Sequence, residues 1–205
     1  IANQLISKWP EQAAGKVIVA HLGSGASLCA MHNCVSRDTS MGFSTLDGVP
    51  MATRCGALDA GVVMHLAKTG RDLGEIEDLL YHRSGLLGVS GISADSRVLL
   101  ESDEGQAKEA IELFTFRIAG EIARLASTLG GLDTLVFTAG IGEHQPAIRQ
   151  DICTRLMWLG IDLDPEANAG NRPVISSPAS RLTVLVIPTD EEQVIATEAL
   201  RIAGG

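Results

Sequence analysis

The sequence predicts an α/β domain, a mixed sheet flanked by helices, and three observations predict it. Short apolar runs at Val17–Ala20, Leu135–Phe137 and Leu182–Ile187 suit strands buried on both faces. Ser27–His32 and Val35–Asp38 follow the first run after tight polar turns, which makes an antiparallel meander. Amphipathic stretches with capping residues separate the later strands, the longest over Gln106–Leu129.

Composition bounds the answer. A chain of 205 residues makes one or two domains, and with 45% hydrophobic but only 3% aromatic residues its core is aliphatic. A net charge of −9 excludes a nucleic-acid surface, which needs a basic excess, but leaves room for a nucleotide pocket. No transmembrane run or signal peptide is visible, so no membrane partner is expected. Cys29, Cys34, Cys55 and Cys153 have no C-x-x-C spacing and read as reduced thiols in a cytoplasmic protein. Residue 1 is Ile, so the chain is expected to be processed, cut or a fragment of something longer.

Ala2–Trp9 has helical character and is expected to stop at Pro10, with a linker over Glu11–Gly15. Residues 1–15 are thus read as the end of a preceding helix and a linker, and 16–205 as the main domain. Asp59–Lys68 begins with a capping aspartate, and Asp72–His82 reads as a second helix. On Gln106–Leu129, Ile111, Phe114, Ile118, Ile122, Leu125 and Leu129 form one apolar stripe; Asp103 and Gln106 fit a capping box, and Gly130-Gly131 ends the helix. Pro146–Leu159 is predicted helical with proline in its first turn. Asp190 and Gln193 fit another capping box, starting a last helix to Ala203.

Several stretches between these elements are suited to chemistry. His21-Leu22-Gly23-Ser24-Gly25-Ala26-Ser27 follows the first strand, and its glycines allow a sharp turn and a close ligand; main-chain N–H groups in such a loop can converge on a phosphate. An ordinary hairpin has the same composition. Asp38–Gly48 and Met51–Gly56 fit no periodicity, and long irregular segments are often functional. Arg54 there is either a surface arginine or a fork-shaped clamp for a phosphoryl group. Ser84–Arg97 is a Gly/Ser-rich run ending in Asp95-Ser96-Arg97, which is equally a helix start with an exposed ion pair. Thr138–Glu143 puts a Gly-x-Gly turn at a strand end before a helix, a place that favours phosphate. Glu191 and Glu192 complement a helix dipole or orient magnesium.

The order of elements is that of a ribonuclease-H-like unit, the fold of the actin, Hsp70 and sugar-kinase superfamily. The motifs HLGSGAS, DTSMGFSTLDG, MATRCG, SGLLGVSGISADSR, FTAGIGE and IPTDEE run in order from His21 to Glu192. In these the chain resembles the C-terminal half of the acetate kinase family, which includes propionate kinases. The resemblance implies ATP-dependent phosphorylation of a short-chain carboxylate, acetate or propionate, giving ADP and an acyl phosphate, with Mg2+ as cofactor. It implies that His21 contacts the transferring phosphate and that Arg54 binds acyl carboxylate and phosphoryl oxygens. Gly23, Ser24, Gly25, Asp95, Ser96, Arg97, Gly140, Ile141, Gly142 and His144 fall in nucleotide-binding positions, and Glu191 in the magnesium position. Permanent cations, N–H-lined loops and a metal carboxylate are the parts phosphoryl transfer needs.

Four residues depart from the family pattern: Ser24 and His144 stand for asparagines, Ala139 for a glycine, and Thr45 for a proline beside the acyl methyl pocket. Nothing matches the family's N-terminal half, which supplies the opposite wall of the cleft. The resemblance therefore implies a nucleotide-binding half, inactive alone, within a homodimer; Gln106–Leu129 is one candidate for the dimer contact, the alternative being that its apolar stripe is spent on the sheet. The rival reading is a non-catalytic, actin- or Hsp70-like ATP-binding module, which has no use for Arg54 as an acyl clamp. A sugar kinase is weaker still, because these motifs are not sugar-kinase motifs.

Overall fold

Lys16–Leu22 forms β1, the central strand of a five-stranded sheet, and burial on both faces is what its unbroken apolar run requires. The computed structural model describes residues 1–189 and Ala199. β1 pairs antiparallel with β2 (Ala26–His32), and β2 with β3 (Val35–Thr39). Asn33 and Cys34, with φ of 53° and 56°, make the two-residue turn between β2 and β3. β4 (Thr134–Thr138) lies parallel to β1 on its other side, and β5 (Thr183–Val186) lies parallel to β4. The strand order β3-β2-β1-β4-β5 is the expected mixed ribonuclease-H-like sheet.

Two short helices, α1 (Ala2–Lys8) and α2 (Pro10–Ala13), precede the sheet. Between β3 and β4 come α3 (Ala60–Lys68), α4 (Leu73–His82), α5 (Gly85–Ser90), α6 (Ser96–Glu101) and α7 (Gly105–Leu129). Between β4 and β5 come α8 (Ala139–His144), α9 (Pro146–Arg155) and α10 (Pro165–Ala169).

Alternate residues of β1 serve two cores. Ile18, Ala20 and Leu22 pack with Leu135, Phe137 and the apolar faces of α7 and α9. Val17 and Val19 pack on the opposite face with Leu5 and Ala13. Asp59 caps α3 as expected, accepting from Gly61 N–H at 2.6 Å. Among the described residues no helix is long and apolar enough to cross a membrane.

Some expectations are corrected. Residues 10–13 are not linker: Pro10 opens α2, where its missing N–H costs nothing, and α1 and α2 cover one face of the sheet. The Asp103/Gln106 capping box does not form, because α7 starts at Gly105 with Glu104 as an uncapping N-cap residue, leaving Asp103 outside the helix. The apolar stripe of α7 is not available as a dimer contact: Ile111, Phe114, Ile118, Ile122 and Leu125 are all buried in the core. Within the Ser84–Arg97 run, Gly85–Ser90 forms α5, and Asp95 starts α6 as the helix-start reading has it. Thr138–Glu143 is likewise not an open turn, since α8 starts directly at the end of β4. The helix from Pro146 ends at Arg155, and Met157–Leu159 is a separate 3-10 turn. The predicted last helix, its Asp190/Gln193 capping box and Glu191 lie outside the described residues.

Candidate active site

Parallel β1, β4 and β5 all end on the same side, where ligands of open parallel sheets bind. Three chain segments leave there: the loop after His21, the turn into α8 at Ala139, and the exit of β5 towards Thr189. They enclose a cavity of about 470 Å³ lined by His21, Gly23, Ser24, Gly25, Arg54, Ala139, Gly140 and Thr189, among others. A second cavity, about 510 Å³, is lined by Asp95, Ser96, Arg97, Ile141, His144 and Gln145. Gly23, Ser24 and Gly140 line both, so the two are neighbours across these residues.

Arg54 is positioned by its main chain. Ala52 N–H donates to Ser24 O at 3.1 Å, which ties MATRCG to the glycine loop. Leu86 N–H and Leu87 N–H donate to Met51 O and Ala52 O from the other side. Gly85, with φ +60°, is required there because a Cβ would run into Met51 O. The SGLLG stretch thus supports Arg54 and does not line either cavity. The half-buried guanidinium donates to Thr45 O at 3.2 Å and would sit 4.0 Å from a Cβ on Gly25. Gly25 thus lies beside the cation, with room for no more than ordinary contact.

The turn after β4 carries strain. Ala139 has φ 65°, in the left-handed region that alanine avoids. Its N–H donates to Glu143 Oε1 at 2.8 Å, and the same oxygen accepts from Thr189 N–H at 2.9 Å. Beneath the turn lies Arg149, fully buried, donating to Gly142 O, Glu143 O, Asn168 O and the side-chain oxygens of Asn168 and Asn171. Burial among neutral oxygens pushes its pKa down to about 10, so it stays charged at neutral pH.

In the second cavity the two readings of Asp95 and Arg97 coincide. Asp95 caps α6 through Arg97 N–H and pairs with the Arg97 guanidinium at 2.6 Å. That hydrogen bonding holds the Asp95 carboxyl below its ordinary value and Arg97 above its own. Buried Gln145 donates to Ser96 Oγ at 2.8 Å, joining the two walls, while its Oε1 has no hydrogen-bond partner among the described residues. The same holds for Oγ1 of Thr138, the residue in register with His21.

The structure brings His21, Arg54, Gly23, Ser24, Gly25, Asp95, Ser96, Arg97, Gly140, Ile141 and His144 together on the two cavities. Gly142 is not with them: it is buried, and a Cβ there would meet the Phe137 main-chain carbon at 3.3 Å, a tight fit against β4. Among the described residues no three His, Cys, Asp or Glu side chains could jointly hold a metal, and Glu191 lies outside them. Sequence reasoning missed Thr189, Gln145, Glu143 and Arg149. Thr189 and Glu143 fall inside quoted motifs, but Gln145 and Arg149 carry no signal in the sequence.

The Acetokinase family model matches residues 2–197. An acetate kinase of Rhodopseudomonas palustris (strain TIE-1) is 56% identical over 199 residues, covering 94% of this chain and 49% of that protein. The crystal structure of acetate kinase from Entamoeba histolytica superposes with a TM-score of 0.92 at 34% identity, over 98% of this chain and 55% of that one. That of a propionate kinase from Francisella tularensis subsp. tularensis SCHU S4 gives 0.88 at 37%, over 96% and 51%. The chain spans about half the length of the curated relatives it matches.

Proposed function

The chain belongs to the acetokinase family, and on that premise we propose that it is the nucleotide-binding half of an acyl kinase. The reaction is reversible transfer of the ATP γ-phosphoryl group to acetate or propionate. A carboxylate oxygen forms the new bond to phosphorus, the bond to the β-phosphate oxygen breaks, and ADP and the acyl phosphate leave. The observation that carries this reading is the convergence of Arg54, His21 and the Gly23–Gly25 loop on one cavity that shares Gly23, Ser24 and Gly140 with a second.

The smaller cavity takes the phosphates and the reacting carboxylate, and the second takes adenosine between Arg97 and Ile141. Arg54, permanently charged, offsets charge on the equatorial oxygens as it builds up, and His21 contacts the same group. Mg2+, when bound with the nucleotide through Glu191, supplies further charge cancellation on the phosphates. An amino-terminal half closes the cleft. A cytoplasmic homodimer completes the reading; α3, which buries none of its residues and leaves Val62 and Met64 exposed, offers an apolar surface for the contact. The test is calorimetry with ADP and an acyl-phosphate assay on residues 1–205. Binding without turnover, with turnover gained on adding the amino-terminal half, is expected. Turnover by this chain alone would refute the two-half cleft.

A further inference from the structure

We propose that Glu143 is a positioning residue that locks the nucleotide turn at Ala139 to the exit of β5 at Thr189, making the two a single wall of the phosphate cavity. Its Oε1 accepts from Ala139 N–H at 2.8 Å, Thr189 N–H at 2.9 Å and Thr189 Oγ1–H at 3.2 Å. The side chain is only 12% exposed. Ala139 and Thr189 both line the cavity; Glu143 does not.

Ile187 N–H donates to Phe137 O and Gln4 Nε2 donates to Pro188 O, both at 3.0 Å, but neither contact reaches the Ala139 or Thr189 N–H. The Ala139 N–H, at the first position of α8 and out of reach of a helical carbonyl, finds its acceptor in Glu143 Oε1. Thr189 lies beyond the last paired residue of β5, Val186, so the sheet ladder does not fix it. Ala139 is held at φ 65° against its own preference, and a charge-assisted bond to its N–H favours that conformation. A carboxylate this close to a phosphate cavity would repel the ligand if it pointed in; here one oxygen is occupied by three donors from the wall itself.

The inference rests on reading this cavity as the phosphate site, and the experiment separates the two. Glu143→Asp keeps the charge but draws the oxygen back by one methylene, whereas Glu143→Gln keeps an acceptor at the same reach. Residues 1–205 carrying each change are compared with the parent by amide hydrogen exchange, and by calorimetry with ADP and with adenosine as separate probes. In Glu143→Asp the Ala139 and Thr189 amides should both exchange at least about tenfold faster. ADP affinity should fall at least about tenfold, while adenosine, seated in the other cavity, stays within about threefold. Glu143→Gln should restore all three to within about threefold of the parent. An equal fall for ADP and adenosine would make Glu143 a prop of the fold and overturn the proposal, as would an unchanged Thr189 amide. If the parent binds neither probe, the nucleotide reading fails, and the two amides alone decide whether Glu143 joins the segments.

Discussion

The Arg54 guanidinium donates to the main-chain oxygen of Thr45 at 3.2 Å. The cation assigned to the reacting oxygens is thereby tied to the segment assigned to the acyl pocket, and the contact uses the backbone of Thr45, not its side chain. Substitution at Thr45 can therefore reshape the pocket without releasing Arg54.

Arg54→Ala, in the enzyme completed by its amino-terminal half, should lower kcat by at least ~100-fold, about 3 kcal/mol of transition-state stabilisation, by analogy with a lost oxyanion donor. ADP affinity should fall far less than turnover, because Arg54 is assigned to the reacting carboxylate and the transferring phosphoryl group, which ADP lacks. Steady-state kinetics beside ADP titration checks this. Turnover within about threefold of the parent would remove Arg54 from the reacting centre.

Thr45→Pro retains the oxygen that Arg54 uses and fixes φ, so it tests the pocket alone. The parent should use propionate appreciably, and the proline variant should shift the acetate-to-propionate ratio of kcat/KM towards acetate. A single methylene is worth about 1–3 kcal/mol, so a shift of roughly tenfold or more is expected. An unchanged ratio would place residue 45 outside the pocket.

Ala139→Gly should not destabilise the protein. Relief of the left-handed conformation returns about 1–2 kcal/mol, and the added freedom of the unfolded chain takes back about 0.4–1 kcal/mol. A gain of up to about 1 kcal/mol in urea unfolding is expected. A loss of that size would mean that the methyl, packed towards Gly23, contributes more than its strain costs.

What the sequence made legible was local and periodic. β1 reads from Val17-Ile18-Val19, and α7 reads from its stripe and from Gly130, which closes it in the left-handed conformation. The cavity residues were legible because loops at strand ends must carry glycine and a few polar groups. Gly142 was not separable in the sequence, because a glycine packed tightly against Phe137 looks the same as one that faces a ligand. α5 was hidden in Gly/Ser composition, since its hydrogen-bonding to Met51 and Ala52 is a tertiary matter. Arg149 was hidden because its partners Asn168 and Asn171 lie on and after α10, far along the chain.

Asp38 predicts an acid limb. The Arg124 guanidinium, followed by the Thr128 hydroxyl, holds its carboxyl below the ordinary 3.8. Its depressed folded-state pKa means that the stabilisation is present above the unfolded value and is lost as pH falls through the folded one. Asp38→Asn should therefore lower the Tm at neutral pH, with the gap to the parent closing below about pH 4. Thermal unfolding across that range checks it; a gap independent of pH would show that shape, not charge, matters at Asp38.

Arg149 should be the most costly of these positions to change. Its fork donates to five oxygens, and those of Gly142 and Glu143 close the turn that carries Ala139 and Gly140. Arg149→Met fills much of the volume but leaves those oxygens in an apolar site without donors, each a penalty of about 1–3 kcal/mol. The total loss should be at least about 3 kcal/mol in denaturant unfolding, allowing for relaxation and water entry. Arg149→Lys keeps a charge but not the planar fork, so it should recover only part of the loss. Arg149→Met with near-parent stability would mean that an apolar side chain satisfies the site as well as the guanidinium, and that the turn is held by Glu143 from above and not by Arg149 from below.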